Sequence, residues 1–132
     1  MVDSGAEQYV APPGVFPGAV RPSAMSQSGR GYRAANGTRI RNLGETDVFF
    51  STVDVHKCGM PFQIAEVERP LIAASQLGAA GNKVELEEHG GLIINKKSGR
   101  TIPLGRKGGV YVMRMYIPTA RAGASGFPRP EV

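Results

Sequence analysis

The sequence predicts an all-β fold with one short helix, and three observations lead there. Short stretches rich in Val, Ile, Phe and Tyr recur between turn-forming residues. The 132 residues include 18 Gly and 10 Pro, a density that interrupts helices and supplies turns. Helix-favouring apolar runs are scarce, and Leu71 to Leu77 is the one stretch suited to a short helix. A chain of this length supports one domain with a modest core and is too short for two that fold alone.

The elements run in order along the chain. Residues 12–31 are rich in Pro, Gly, Ser and Ala, with Val15, Phe16, Val20 and Met25 as the large apolar side chains, and are expected as a long loop. Tyr32 to Ala35 and Thr38 to Arg41 flank Asn36-Gly37, the signature of a hairpin whose turn needs positive φ. Val48 to Val53 and Met60 to Val67 are predicted as the next strands, joined through His56-Lys57-Cys58-Gly59, with Met60, Phe62 and Ile64 on one face. Pro61 cannot donate to a ladder and predicts an edge or a strand start. The helix over 71–77 is closed by Gly78 or Gly81.

A β-meander is predicted over 81–117: Lys83 to Glu87, Leu92 to Asn95, Thr101 to Leu104 and Val110 to Ile117. Gly90-Gly91, Lys97-Ser98-Gly99 and Lys107-Gly108-Gly109 supply its turns. Residues 118–132 lack an apolar period and are expected as a disordered tail.

The formal charge is +5, and the basic residues are scattered apart from Lys96, Lys97, Arg100, Arg106 and Lys107, which suit solvated hairpin turns better than a nucleic-acid patch. One cysteine, Cys58, excludes an internal disulfide framework, and with His56 and His89 alone no Cys/His zinc site assembles. No cofactor is implied. No apolar run is long enough to span a bilayer, and the start of the chain lacks a signal-peptide pattern, so no membrane association is expected. His56 and Cys58 are too close along the chain to form a nucleophile and its base, the Glu85, Glu87 and Glu88 group suits a solvated face, and Tyr111, Met113 and Met115 suit the core.

Asp3-Ser4-Gly5-Ala6 resembles the Asp-Ser/Thr-Gly-Ala catalytic loop of retropepsin-like aspartic proteases. The order of the later elements strengthens the resemblance: the Ala35-Asn36-Gly37 hairpin, a strand pair, and Pro70-Leu71-Ile72-Ala73-Ala74-Ser75-Gln76-Leu77, which is similar to the Asn-Leu-Leu-Ser-Val-Ser-Gln-Leu element of copia-type retrotransposon polyproteins. Asn95 to Arg100 and Gly108-Gly109-Val110-Tyr111-Val112 resemble the elements that lead into the pre-integrase region of those polyproteins.

The resemblance implies a small acid-protease barrel over residues 1–80 and a pre-integrase-like meander over 81–117. It implies peptide hydrolysis by two carboxylates that share one proton around a water molecule. Asp3 would supply one carboxylate, Ser4 would tie the catalytic loops together, and Gly5 would allow close backbone approach. Ala6, with Ala35, Asn36 and Gly37 at the tip of a flap, would contact the peptide. Neither Asp47 nor Asp54 begins a second such loop, so the second carboxylate implies a homodimer. The substrate would be the polyprotein itself, in the cytoplasm or in retroelement particles.

Two departures from the family set further expectations. Only Met1 and Val2 precede Asp3, so the N-terminal strands of the family are expected to be missing, Asp3 to sit on a frayed end, and the chain to be inactive through truncation. Ala73 stands where many retropepsins have glycine after two apolar residues. The alternative expectation is a catalytically silent β module that binds peptide or nucleic acid.

Overall fold

Alternation of apolar and polar side chains builds two sheets around one core in the computed structural model, which describes residues 1–3, 6–34, 36–53 and 55–117. The elements are β1 (Val2–Asp3), β2 (Val10–Ala11), α1 (Ala24–Gln27), β3 (Gly31–Arg33), β4 (Arg39–Ser51), β5 (Lys57–Ala65), β6 (Ile72–Ala73), α2 (Ala74–Ala79), β7 (Asn82–Glu87), β8 (Gly90–Asn95), β9 (Thr101–Lys107) and β10 (Val110–Met113). The fold is all-β, with a sheet curled into a half-barrel. It carries two short helices where the sequence predicts one. The expected tail, 118–132, lies outside the described residues.

One sheet has the order β6-β1-β10-β9-β8-β7 and the other β2-β5-β4-β3. The predicted meander is present as β7 to β10, each strand antiparallel to the next, and its last strand pairs with β1 through Tyr111 and Val2. Residues 1–80 and 81–117 therefore share a sheet. They also share a core: Phe50, Met60, Phe62 and Leu77 lie in one apolar cluster with Ile93, Ile102 and Leu104. Phe62 is fully buried between the rings of Tyr9 and Phe16, with centroids 5.7 and 4.9 Å away.

Several expectations change at the level of single turns. The stretch 12–31 holds α1, a single turn whose Ser23 accepts from Ser26 N–H while Ser26 Oγ accepts from Ser23 N–H. Arg39 to Ser51 is one continuous strand. Lys57, Cys58 and Gly59 belong to β5, and the β4–β5 loop is residues 52–56, closed by Thr52 N–H to His56 O at 2.9 Å and by His56 N–H to Thr52 Oγ1 at 3.2 Å. Gly90 and Gly91 are strand residues: a Cβ on Gly91 would lie 2.2 Å from Glu85 O, so glycine there permits close strand approach, and the turn falls at Glu88-His89. Ile93, with only 1 % of its surface exposed, faces the core, whereas Leu92 and Ile94 point to the other face. Gly108 and Gly109, at φ 60° and 82°, make the two-residue turn that suits the twist of a hairpin.

Pro61 sits in the middle of β5, opposite Asp47. Gln63 N–H bonds to Tyr9 O, and the nitrogen two residues earlier points the same way, past the start of β2, where no ladder partner is needed.

A bulge between Asn42 and Gly44 gives β4 its shape, with Asn42 opposite Ala65 and Gly44 opposite Ile64. Gly44 has φ 134°, and a Cβ there would lie 2.5 Å from Arg21 O. Gly37, in the hairpin turn, has φ 86° but open space around it. Gly44→Ala is therefore expected to lower unfolding free energy by more than about 2 kcal/mol, and Gly37→Ala by only about 1 kcal/mol, the cost of a left-handed conformation alone. Urea unfolding of both variants measures the difference.

Candidate active site

β1 lies between β6 and β10, so the residue after Val2 has a defined place. Val2 is opposite both Ile72 and Tyr111, and Asp3 stands beside Ala73 in parallel register. Ile72 N–H donates to Met1 O at 2.7 Å, and Val2 is 8 % exposed. The frayed end expected for Asp3 is thus replaced by a strand held on both sides. Asp3 is half-buried and opens onto a cleft of about 1230 Å³.

α2 fixes the segment after Asp3. Ser75 Oγ donates to Ala6 O at 3.4 Å, and Tyr9 N–H donates to Gln76 Oε1 at 3.4 Å. Burial pushes the Tyr9 hydroxyl well above the ordinary tyrosine range. Ser4, Gly5 and Ala35 lie outside the described residues. Asp3 and Ala6 both line the cleft, whereas Asn36 and Gly37 are exposed at the hairpin tip and do not. The hairpin's contribution to the cleft wall comes from Gly31 to Ala34 and from Ile40. Its tip is closed by Ala34 N–H to Thr38 O at 2.8 Å and Gly37 N–H to Ala34 O at 2.9 Å, with Gly37 in the left-handed region.

A polar network not foreseen from the sequence ties the hairpin to the floor. Because of the bulge, Asn42 turns to the face that carries Gln63 and Glu45. Asn42 Nδ2 donates to Gln63 Oε1 at 2.9 Å and to Tyr32 Oη at 3.2 Å, and its Oδ1 accepts from Ser23 Oγ at 3.1 Å and Gly44 N–H at 2.8 Å. Tyr32 Oη donates to Gln8 Oε1 at 2.6 Å, and Gln63 Nε2 donates to Glu45 Oε2 at 3.2 Å. Asn42 is 1 % exposed with every polar atom partnered, the condition under which a buried amide specifies geometry instead of destabilising it. The available sequence signal was Asn42 at two residues from Ile40, a polar group on an otherwise apolar strand period.

The basic group 96–107 is divided by the fold. Lys96, Lys97 and Arg100 lie at the β8–β9 turn, whereas Arg106 and Lys107 lie at the opposite end of β9, where Arg106 donates to Glu88 O at 2.8 Å. Among the described residues, no group of three or more His, Cys, Asp or Glu side chains could hold a metal ion, and no helix is long and apolar enough to cross a membrane.

The site and fold define a β protein with a half-buried carboxylate at one end of an open cleft. No protein-family model, curated protein or solved structure matches the chain.

Desolvation raises the Tyr32 hydroxyl above its ordinary value of 10.0, against a smaller opposite effect of the bond from Asn42. The unfolded chain releases the tyrosine protons near pH 10 while the folded chain retains them, so this stability is full below about pH 10 and is lost as pH rises beyond it. Tyr32→Phe is expected to cost about 1–2 kcal/mol at neutral pH by removing partners from Gln8 and Asn42, and to make the alkaline loss shallower. Denaturant unfolding at neutral pH and above pH 10 reads both effects.

Proposed function

We propose that this chain is the aspartic endopeptidase segment of a retrotransposon polyprotein, hydrolysing an extended peptide with a pair of Asp3 carboxylates from two copies. The observation that carries the reading is the place of Asp3: at the end of a strand paired on both sides, opening onto a cleft walled by the β3–β4 hairpin. The cleft volume of about 1230 Å³ exceeds the ~300–1,000 Å³ of common small-molecule sites and suits several residues of extended peptide.

The chemistry needs two carboxylates within a few ångströms. Charge repulsion keeps one protonated, so that it polarises the scissile carbonyl while the other takes a proton from the attacking water. The two apparent pKa values then belong to the pair. Asp47, the other aspartate among the described residues, supports the dimer: both its oxygens are held by Arg21, at 3.2 and 3.3 Å, on an exposed strand face. It is not placed to act as a partner for Asp3 within one copy. The hairpin would act as the flap that closes over the peptide and excludes water. Ala73, beside Asp3 in the parallel register, occupies the position where the family favours glycine, and its methyl is fully buried.

Incubation with a pool of peptides spanning polyprotein junctions, followed by mass spectrometry, is expected to show endoproteolysis whose rate per chain rises with chain concentration as dimers form. Asp3→Asn is expected to lower the cleavage rate roughly 10³-fold or more while the fold is retained. Cleavage undiminished in Asp3→Asn would sink the assignment.

A further inference from the structure

The hairpin that walls the cleft has a second face. Arg33 is opposite Arg39, and Arg41 is opposite Gly31. Cross-strand partners share a face, as do residues two apart, so Arg33, Arg39 and Arg41 project together, away from the face of Tyr32 and Ile40. All three are exposed, and Arg30, exposed as well, immediately precedes the strand. Arg39 and Arg41 are separated by about 6.5–7 Å along β4, and Arg33 lies about 5 Å across from Arg39.

Such a cluster is costly unless something neutralises it, and no salt bridge among the described residues does so. From Gln8 to Gly44 there is no acidic residue, although this stretch holds Arg21, Arg30, Arg33, Arg39 and Arg41. Arg21 is paired with Glu45 and Asp47. None of Arg30, Arg33, Arg39 and Arg41 forms an ion pair among the described residues, whose four salt bridges involve Arg21, Lys83 and His89. Four like charges gathered on one small ribbon repel each other; Arg30 and Arg33 share the cleft lining with Asp3, Glu7 and Glu45, whereas Arg39 and Arg41 do not.

We infer that the outer face of the β3–β4 hairpin binds the phosphodiester backbone of a single-stranded nucleic acid. Guanidinium groups bind phosphate oxygens in a bidentate geometry that lysine does not reproduce, and this face uses arginine alone. A nucleic-acid strand presents one negative charge per nucleotide whatever its sequence, which matches a surface that offers charge without pockets. An acidic peptide strand recognised by a β-ribbon draws its specificity from pockets for alternate side chains, and Arg39 and Arg41 lie outside the lining of the cleft that could supply them, which Arg33 alone of the three touches. A duplex groove would enclose both faces of the ribbon, but the Tyr32 face is fastened to Gln8 and Asn42. No aromatic side chain shares the arginine face, so base stacking contributes little and binding is indifferent to sequence.

The test is fluorescence anisotropy of a labelled oligouridine strand titrated with the full chain. Three to four phosphate contacts predict a salt slope of about −2 to −3, so affinity is expected to fall roughly 20- to 50-fold between about 50 and about 200 mM salt. The variant Arg33→Gln, Arg39→Gln, Arg41→Gln, all at exposed positions, is expected to bind at least ~10-fold more weakly at the lower salt and to lose less than about threefold over the same salt range. The variant Lys96→Gln, Lys97→Gln, Arg100→Gln removes the same net charge at the far sheet and is expected to bind within about twofold of the parent. Equal losses in the two variants would overturn the site, because net charge alone would then account for binding. Competition by polyglutamate of matched charge as strong as that by unlabelled oligouridine would overturn the ligand, and so would tighter binding of a duplex of equal length.

Discussion

The pairing of β1 with β6 and β10 is the constraint on which the rest of the structure depends. Two residues, Val2 and Asp3, join the strand that leads into α2 to the last strand of the meander. Without them the half-barrel has a gap between β6 and β10, Val2 leaves the core, and the Asp3 carboxylate loses its address. The strand is too short to hold by its own ladder hydrogen bonds, each worth about 1 kcal/mol net, so burial of Val2 against the common apolar cluster must contribute a comparable amount.

From that seam the cleft is built in order. α2 starts where β6 ends and grips the chain after Asp3 through Ser75 and Gln76. The chain then enters β2, which lies parallel to β5, and β5 carries Gln63 into the polar network below the hairpin. Arg21 and Gly44 fasten the crossing strap to β4 at the bulge, with Arg21 N–H donating to Glu45 O at 3.0 Å and Glu45 N–H returning to Arg21 O at 2.8 Å. The bulge is what aims Asn42 at the cleft. A regular strand would have sent that amide into the apolar space around Phe62, where its four hydrogen-bonding sites have no partners.

Much of this was legible in the sequence where local chemistry dictates it. The Asn36-Gly37 hairpin is set by a glycine in the left-handed region, and the β9–β10 turn by two of them. The alternation of Met60, Phe62 and Ile64 forecast the buried face of β5, which Cys58 extends. The illegible parts depend on distant partners. β4 was divided because Asn42, Gly44 and Thr46 interrupt its apolar period, and these residues are buried only because Ser23, Arg21 and Ala19 cover them. α1 has four residues, no apolar period, and serine in place of the acidic or amide residue that usually reports a capping box. Lys57-Cys58-Gly59 has turn-like composition, but the Thr52 side chain closes the loop earlier. The Asp3 motif was visible as a tetrapeptide, whereas the support around it was not, since Ile72 and Tyr111 are neighbours only in three dimensions. The arginine face was hidden for a related reason: only cross-strand register brings Arg33 beside Arg39.

The seam at β1 also sets a clock. Its second neighbour is the last described strand, so Val2 and Asp3 wait for β10, which is synthesised much later. At translation speeds of about 5–20 residues per second, the interval between Val2 and Met113 is roughly 6–20 s. During that time the β4–β5 hairpin and its network are free to assemble, but the carboxylate has one strand at most beside it. The half-barrel therefore ties the placement of Asp3 to the arrival of β10, a delay written into the strand order.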